Sequence, residues 1–314
     1  MKNDKSNLSI SIIIPALNEE KNIANTLESI RKNFGSCDEV ILIDNGSIDS
    51  TVEVASSYGA KTIVKKGYTI AGLRNCGAAI AVGDILLFID ADVCLHESWL
   101  DNFIEVYSEL PTDQLWITGS RYQTPYEDFI NTYWYKVLNF KNSGYINSGH
   151  LVTSKLLFDQ ICGFDKNLAT AEDHDFCTRA KSNAAALIHN PRLVAIHNGY
   201  PTSIIHFLKR ELWHGKSDFR SFKAFTSSKI AIASLLLTTC YFLSLTVSLS
   251  IGTIYPFLTT VASIYLFSIL FVLFKFPKVK LPGLLVTGGL QQLYFLARSF
   301  SWMADKERSK TRRT

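Results

Sequence analysis

The stretch Ile85–Val93, written ILLFIDADV, decides how this 314-residue chain reads. Five apolar residues in a row, Ile85 to Ile89, suit a strand covered on both faces. The run then stops at two carboxylates, Asp90 and Asp92, one residue apart. The carboxyl end of a buried strand is where open α/β sheets place ligands. In an extended chain the two side chains would face opposite ways, so the chain has to turn if both serve one site. Paired hard oxygen ligands suit Mg²⁺ or Mn²⁺, ions that also grip substrate phosphates. The plain alternative is an Asp-rich turn, because Asp favours turns by itself.

Working outward towards the N-terminus, strand and helix patterns alternate. Residues 8–14 read as an Ile-rich strand broken by Pro15 and Asn18, too short for a leader. Residues 19–32 read as a helix with Ile23, Leu27 and Ile30 on one face. A second strand, 39–43, ends at Asp44 in the turn DNGS, and a helix follows over 51–58. A short strand at 61–64 leads into a helix over 70–81 that carries Arg74 and Asn75 and stops before Gly83. This alternation predicts an α/β fold, a largely parallel sheet with helices on both faces.

The ordered set PALNE (15–19), IDNGSIDST (43–51), LRN (73–75) and DAD (90–92) resembles the family 2 glycosyltransferases, whose nucleotide-sugar-binding fold is called GT-A. The resemblance covers residues 8–220. It implies that Pro15, Leu17, Asn18 and Glu19 border the nucleotide and that Asp44 contacts the base or ribose. It also implies that Arg74 approaches the nucleotide or its phosphates. Asp90 and Asp92 would hold the ribose and the metal-diphosphate, with Asp92 the direct metal ligand, and Gly149 in GYINSGHLVT (144–153) would line the donor-sugar pocket.

Beyond the DAD stretch, a helix is expected over 101–110 and a strand over 116–119. Residues 122–140 are rich in aromatics, a pattern that points first to core. Residues 144–153 read as a strand with a polar interruption at Asn147, Ser148, Gly149 and His150, and His150 reads as structural. Glu172, Asp173, His174 and Asp175 in AEDHDFCTRA (171–180) stand in succession before a helix. A helix N-terminus favours acidic residues in any case. Transfer of a sugar to an alcohol, however, needs a group to take the hydroxyl proton. The family resemblance makes Asp173 that base and Glu172 its acceptor-side support. His197, His206 and His214 are candidates for metal or diphosphate contact, with His214, beside Gly215 and Lys216, preferred. The Q-x-x-R-W string of processive polysaccharide synthases is absent, which favours transfer of one sugar.

Charged residues make up 19% of the chain and the mean hydropathy is +0.11, apolar for a soluble protein. That weight is uneven. Ile230 to Phe274 holds no Asp, Glu, Lys, Arg or His, enough for two spans of about 20 residues each. Gly252, Thr253 and Pro256 divide the tract into spans at 230–251 and 255–274. A third apolar segment, 281–298, holds Pro282 and Gln291–Gln292 and reads as interfacial or re-entrant. Basic residues flank the hairpin, which the positive-inside rule makes cytoplasmic. Residues 204–225 mix apolar and basic side chains as a helix lying in a bilayer interface does. The net charge of +4 is read as membrane orientation, not nucleic-acid binding. None of the six cysteines forms a CxxC pair, so neither a zinc site nor a disulfide framework is expected.

The expected organisation is a cytoplasmic GT-A domain, 1–225, followed by a membrane region, 226–314, in an integral membrane protein. The expected activity is a metal-dependent, inverting transfer from a nucleotide-sugar to a hydroxyl of a lipid-linked or cell-envelope saccharide. Polyprenyl phosphate as acceptor, or a non-catalytic membrane scaffold with the same fold, are the alternatives.

Overall fold

The structure is a computed structural model that describes residues 8–35, 39–138 and 144–303. In chain order the elements begin β1 (Ile10–Ala16), α1 (Ile23–Phe34), β2 (Glu39–Asp44), α2 (Thr51–Ser57), β3 (Lys61–Val64) and α3 (Ile70–Ile80). They continue β4 (Ile85–Ile89), β5 (Val93–Leu95), α4 (Trp99–Glu109), β6 (Trp116–Gly119), α5 (Lys136–Leu138), β7 (His150–Ser154), α6 (Lys155–Gln160) and α7 (Glu172–Ser182). After β8 (Ala186–His189) and β9 (Ala195–His197) the chain is helical: α8 (Ile204–His214), α9 (Phe222–Ser227), α10 (Lys229–Ile251), α11 (Tyr255–Lys275) and α12 (Leu281–Ser299). Two compact units result, one within 1–125 and 142–200, the other within 126–141 and 201–314. The sequence reading drew its boundary at 225/226; in space the division falls at Tyr200/Pro201, and 126–141 joins the second unit.

The first unit is a seven-stranded sheet in the order β3-β2-β1-β4-β7-β6-β8, with β5 and β9 forming a separate antiparallel pair. Only β7 runs against its neighbours, β4 and β6; the other pairings in the large sheet are parallel. The continuous apolar runs follow from this architecture. In β1, Ile12 and Ile14 enter a core shared with α1 and α4, while Ile13 enters a second core with α3, α6 and α7. In β4, Leu87 and Ile89 feed the first core and Leu86 and Phe88 the second. A strand buried on both faces needs no polar alternation.

Two strand readings change. Pro15 lies within β1 rather than ending it. The pairing of β1 with β4 stops at Ile13↔Phe88, so the missing N–H of Pro15 falls beyond that ladder. The strand expected from Gly144 begins only at His150, after the turn that carries Asn147, Ser148 and Gly149.

The second unit is helical among its described residues. A π-turn, Asn131–Tyr135, precedes α5, and Trp134 packs edge-on against Phe207 of α8 and at a tilt against Tyr294 of α12. Within the aromatic stretch Trp134 and Tyr135 are buried, while Tyr126 and Phe129 are exposed; Phe140 lies outside the described residues. The amphipathic segment is broken into α8, a short 3₁₀ turn and α9. Helices α10 and α11 are both long and apolar enough to cross a membrane, and only 17% and 11% of their most apolar windows are buried. A core helix of a soluble protein would be mostly buried, so their exposed surface suits lipid. The third apolar segment is a continuous 19-residue helix with Pro282 in its first turn, where a missing N–H costs nothing. No break marks a re-entrant turn. Three hydrogen bonds engage its polar side chains: Thr238 donates to Ser299, Tyr241 to Oε1 of Gln292, and Thr287 to the Tyr133 carbonyl.

Candidate functional site

The chain turns directly after β4. The Val93 amide donates to the Asp90 carbonyl at 3.1 Å, and Thr26 donates to the Ala91 carbonyl, pinning α1 to the turn. Then β5 pairs antiparallel with β9, placing Val93 opposite His197. These two local facts bring Asp90, Asp92 and His197 together, with one ligand atom from each inside a 4.8 Å sphere of mutual distance. Nε2 of His197 lies 3.7 Å from Oδ1 of Asp92. The imidazole is held between Tyr200, stacked at 4.4 Å, and Tyr122, at 4.9 Å. A Cβ on Gly199 would strike Oδ2 of Asp92, so only glycine leaves that carboxylate its place.

Two carboxylates and one imidazole on three fixed backbone positions fit a divalent cation. The oxygen pair suits Mg²⁺ or Mn²⁺. The histidine in this group is His197; His214, the histidine preferred from the sequence, is not a member of it. His214 ends α8 in the second unit, with its ring against Trp213. The strand that delivers His197 is three residues long, too short to announce itself by periodicity. The NGY turn after it was the available signal.

A second group lies at the start of α7. Ala171, in the left-handed region at φ +65°, precedes Glu172 and Asp173, a conformation that costs a non-glycine residue about 1–2 kcal/mol. Oε1 of Glu172 accepts from Nη1 of Arg74 at 2.7 Å and from the Ser148 hydroxyl at 2.9 Å. Nη2 of Arg74 reaches Oδ1 of Asp90 at 2.6 Å. Arg74 is 1% exposed, so its guanidinium lies inside the protein between two carboxylates. Asp173 is buried beside Glu172, and burial first, then the Glu172 charge, pushes its carboxyl up to about 7. A carboxyl with that affinity can take a proton near neutrality.

The remaining expected residues line the turns at the carboxyl ends of β1, β2 and β4. Pro15 is buried, Leu17 half-buried and Asn18 exposed at φ +57°, a conformation asparagine tolerates. The Asn18 side chain accepts from the Ile48 amide, and its own amide donates to Ser47, so the first two turns are stitched together. Burial pushes the Glu19 carboxyl up to about 7, with the Asp92 and Asp90 charges adding to it and a hydrogen bond from Asn22 opposing. Asp44 is 1% exposed. Its carboxylate accepts the Gly46 and Ser47 amides and the Ser47 hydroxyl, so it builds the DNGS turn from within. A Cβ on Gly149 would strike Oδ2 of Asp90 and the Tyr122 hydroxyl; its bare backbone makes room for the Asp90 carboxylate. His150 is buried, accepts from the Trp99 indole at 2.8 Å and contacts Ser120. Burial holds it down at about 4, neutral and structural.

Comparison with known proteins agrees with this geometry. Residues 11–158 match Glycosyl transferase family 2. The glycosyltransferase AglE of Haloferax volcanii is 24% identical over 226 residues, covering 67% of this chain and 73% of that protein. A glycosyltransferase of Rickettsia typhi is 37% identical over 105 residues, 33% of this chain and 35% of its own. The 4,4'-diaponeurosporenoate glycosyltransferase of Staphylococcus haemolyticus is 41% identical over 108 residues, 32% of this chain and 28% of its own. The chain thus spans about a third of the length of these two relatives. Among solved structures, the mannosyltransferase PcManGT of Pyrobaculum calidifontis, in complex with GDP-Man and Mn²⁺, has a TM-score of 0.59 at 18% identity. That likeness covers 97% of this chain and 90% of its own. The chain carries a family 2 glycosyltransferase domain with the GT-A fold.

Proposed function

We propose that this chain is a metal-dependent, inverting glycosyltransferase. It moves one sugar from a nucleotide-sugar to a hydroxyl of a lipid-linked or cell-envelope saccharide, working at the cytoplasmic face of a membrane. The observation that carries the reading is the convergence of Asp90, Asp92 and His197 after β4, with a buried Asp173 nearby whose carboxyl is raised to about 7. Pro15, Leu17, Asn18 and Glu19 border the nucleotide, and Asp44 shapes the loop that faces it.

Asp92, Asp90 and His197 would hold the cation. Bound there, it would offset the negative charge that grows on the leaving nucleoside diphosphate. The chain's own residues do the rest. Asp173 takes the proton of the acceptor hydroxyl as its oxygen bonds to the anomeric carbon, and the bond from that carbon to the diphosphate oxygen breaks. The proton ends on Asp173 and the electron pair on the nucleoside diphosphate. One displacement inverts the anomeric carbon and needs no enzyme nucleophile. Glu172 is paired with Arg74 beside the base. A phosphate acceptor is already ionised and needs no base, so the buried Asp173 favours a hydroxyl over polyprenyl phosphate. The intact carboxylates argue against a non-catalytic scaffold. Helices α10 and α11 support membrane anchoring, with Lys229 and Lys275 at the two ends of the hairpin.

Membranes carrying the chain, incubated with a panel of nucleotide-sugars and Mn²⁺, should release nucleoside diphosphate from one donor class. Release should stop in excess chelator. Release from no donor, or release unchanged by chelator, would contradict the reading.

A further inference from the structure

We infer that Arg74 is a positioning residue: its guanidinium sets the separation of the donor-side carboxylate Asp90 and the acceptor-side carboxylate Glu172, and it does not contact the nucleotide. The inference deepens the sugar-transfer reading above and rests on it.

Arg74 sits in the first half of α3, and α3 is itself fastened. Thr69 caps its N-terminus by accepting the Gly72 amide. The next side chain, Asn75, exchanges two hydrogen bonds with the backbone of Phe164, at 2.7 and 2.9 Å. The arginine therefore projects from a fixed base, and its plane lies 5.8 Å over the Phe164 ring. Its two amino groups go to carboxylates on different segments: Nη2 to Asp90 just past β4 at 2.6 Å, Nη1 to Glu172 at the start of α7 at 2.7 Å. Ser148 donates to the same Glu172 oxygen and fixes its rotation.

The guanidinium is a rigid planar fork, so one residue sets the distance between the two carboxylates. A lysine brings the charge on a single nitrogen and cannot hold two separated groups in one geometry. Arg74 is 1% exposed and both its amino groups are paired, so a diphosphate that took either of them would have to displace a carboxylate. Breaking a buried pair leaves an uncompensated charge, which is strongly unfavourable. Arg74 also opposes the rise of the Asp173 carboxyl, so it helps keep the neighbouring base ionisable.

The test uses the full chain in detergent, wild type, Arg74→Lys, Glu172→Gln and the double variant. Each is measured for thermal unfolding, for UDP and GDP affinity with Mn²⁺, and for turnover at saturating donor. Arg74→Lys should keep nucleotide affinity within about threefold while turnover falls about 10²-fold, the loss that a small misplacement of reacting groups brings. Adding Glu172→Gln to Arg74→Lys should cost much less than Glu172→Gln costs alone, because the pair acts as a unit. An affinity loss as large as the turnover loss would mean that Arg74 grips the nucleotide, and would overturn the inference. Unchanged turnover in a folded Arg74→Lys would overturn it too. If the wild type binds UDP or GDP but transfers no sugar, the sugar-transfer reading fails, and the affinity comparison still separates positioning from nucleotide contact. If it binds neither, additive losses of melting temperature in the cycle would refute the clasp.

Discussion

Asp173 carries two consequences of burial that pull in opposite directions. Its carboxyl rises from the ordinary 3.8 to about 7 in the fold. Between those values unfolding releases a proton, so its contribution to stability falls as pH rises through that window and levels off above about 7. Base catalysis needs the ionised form, so turnover should climb over the same range. Asp173→Asn should therefore lower turnover about 10²–10⁴-fold and abolish the rising limb near pH 7. The same variant should melt higher than wild type at pH 8, with the difference shrinking towards pH 5. A variant that keeps the rising limb, or melts lower at pH 8 than at pH 5 relative to wild type, would remove Asp173 from the base role. The carboxylates of this site were legible in the sequence because residue type and order survive without geometry. What each touches was not. Asp44 turns inward to its own loop, Arg74 binds two carboxylates, and Gly149 makes room for Asp90. Each of these depends on contacts between distant segments. His197 is the clearest case: its partner Asp92 stands more than a hundred residues earlier, and β5 and β9 are three residues each.

At the scale of elements, apolar periodicity gave the long helices and the buried strands close to their true bounds. It did not give the antiparallel β7, because strand direction depends on how connections cross the sheet, nor the strands β8 and β9, which are four and three residues long. Pro15 reads as a breaker in sequence because its missing donor matters only where a ladder needs it, and the β4 ladder ends at Ile13. The apolar hairpin was plain in composition. At 1.5 Å per residue, the 23 residues of α10 span about 34 Å, enough for a hydrocarbon core of about 30 Å. A reporter inserted at Gly252 should lie outside the cytoplasm, and one at Lys278 inside it. The reverse pattern, or both on one side, would mean that α10 and α11 do not form a spanning hairpin with cytoplasmic flanks.

The molecule as a whole joins a nucleotide-sugar fold to a helical unit rich in exposed apolar surface. The family 2 motifs lie within the first unit, which is why the fold was readable from a few short strings. The account's central claim is that Asp90, Asp92 and His197 hold a cation that the donor nucleotide needs. Calorimetric titration of UDP and GDP into the purified full chain, with and without Mn²⁺, measures this most directly, in wild type, Asp92→Asn, His197→Ala and His214→Ala. The account predicts Mn²⁺-dependent binding of at least one nucleotide, weakened about 10–100-fold or more in Asp92→Asn and His197→Ala, as loss of a metal contact does, and unchanged in His214→Ala. Equal binding with and without Mn²⁺, or binding lost in His214→Ala and kept in His197→Ala, would contradict it.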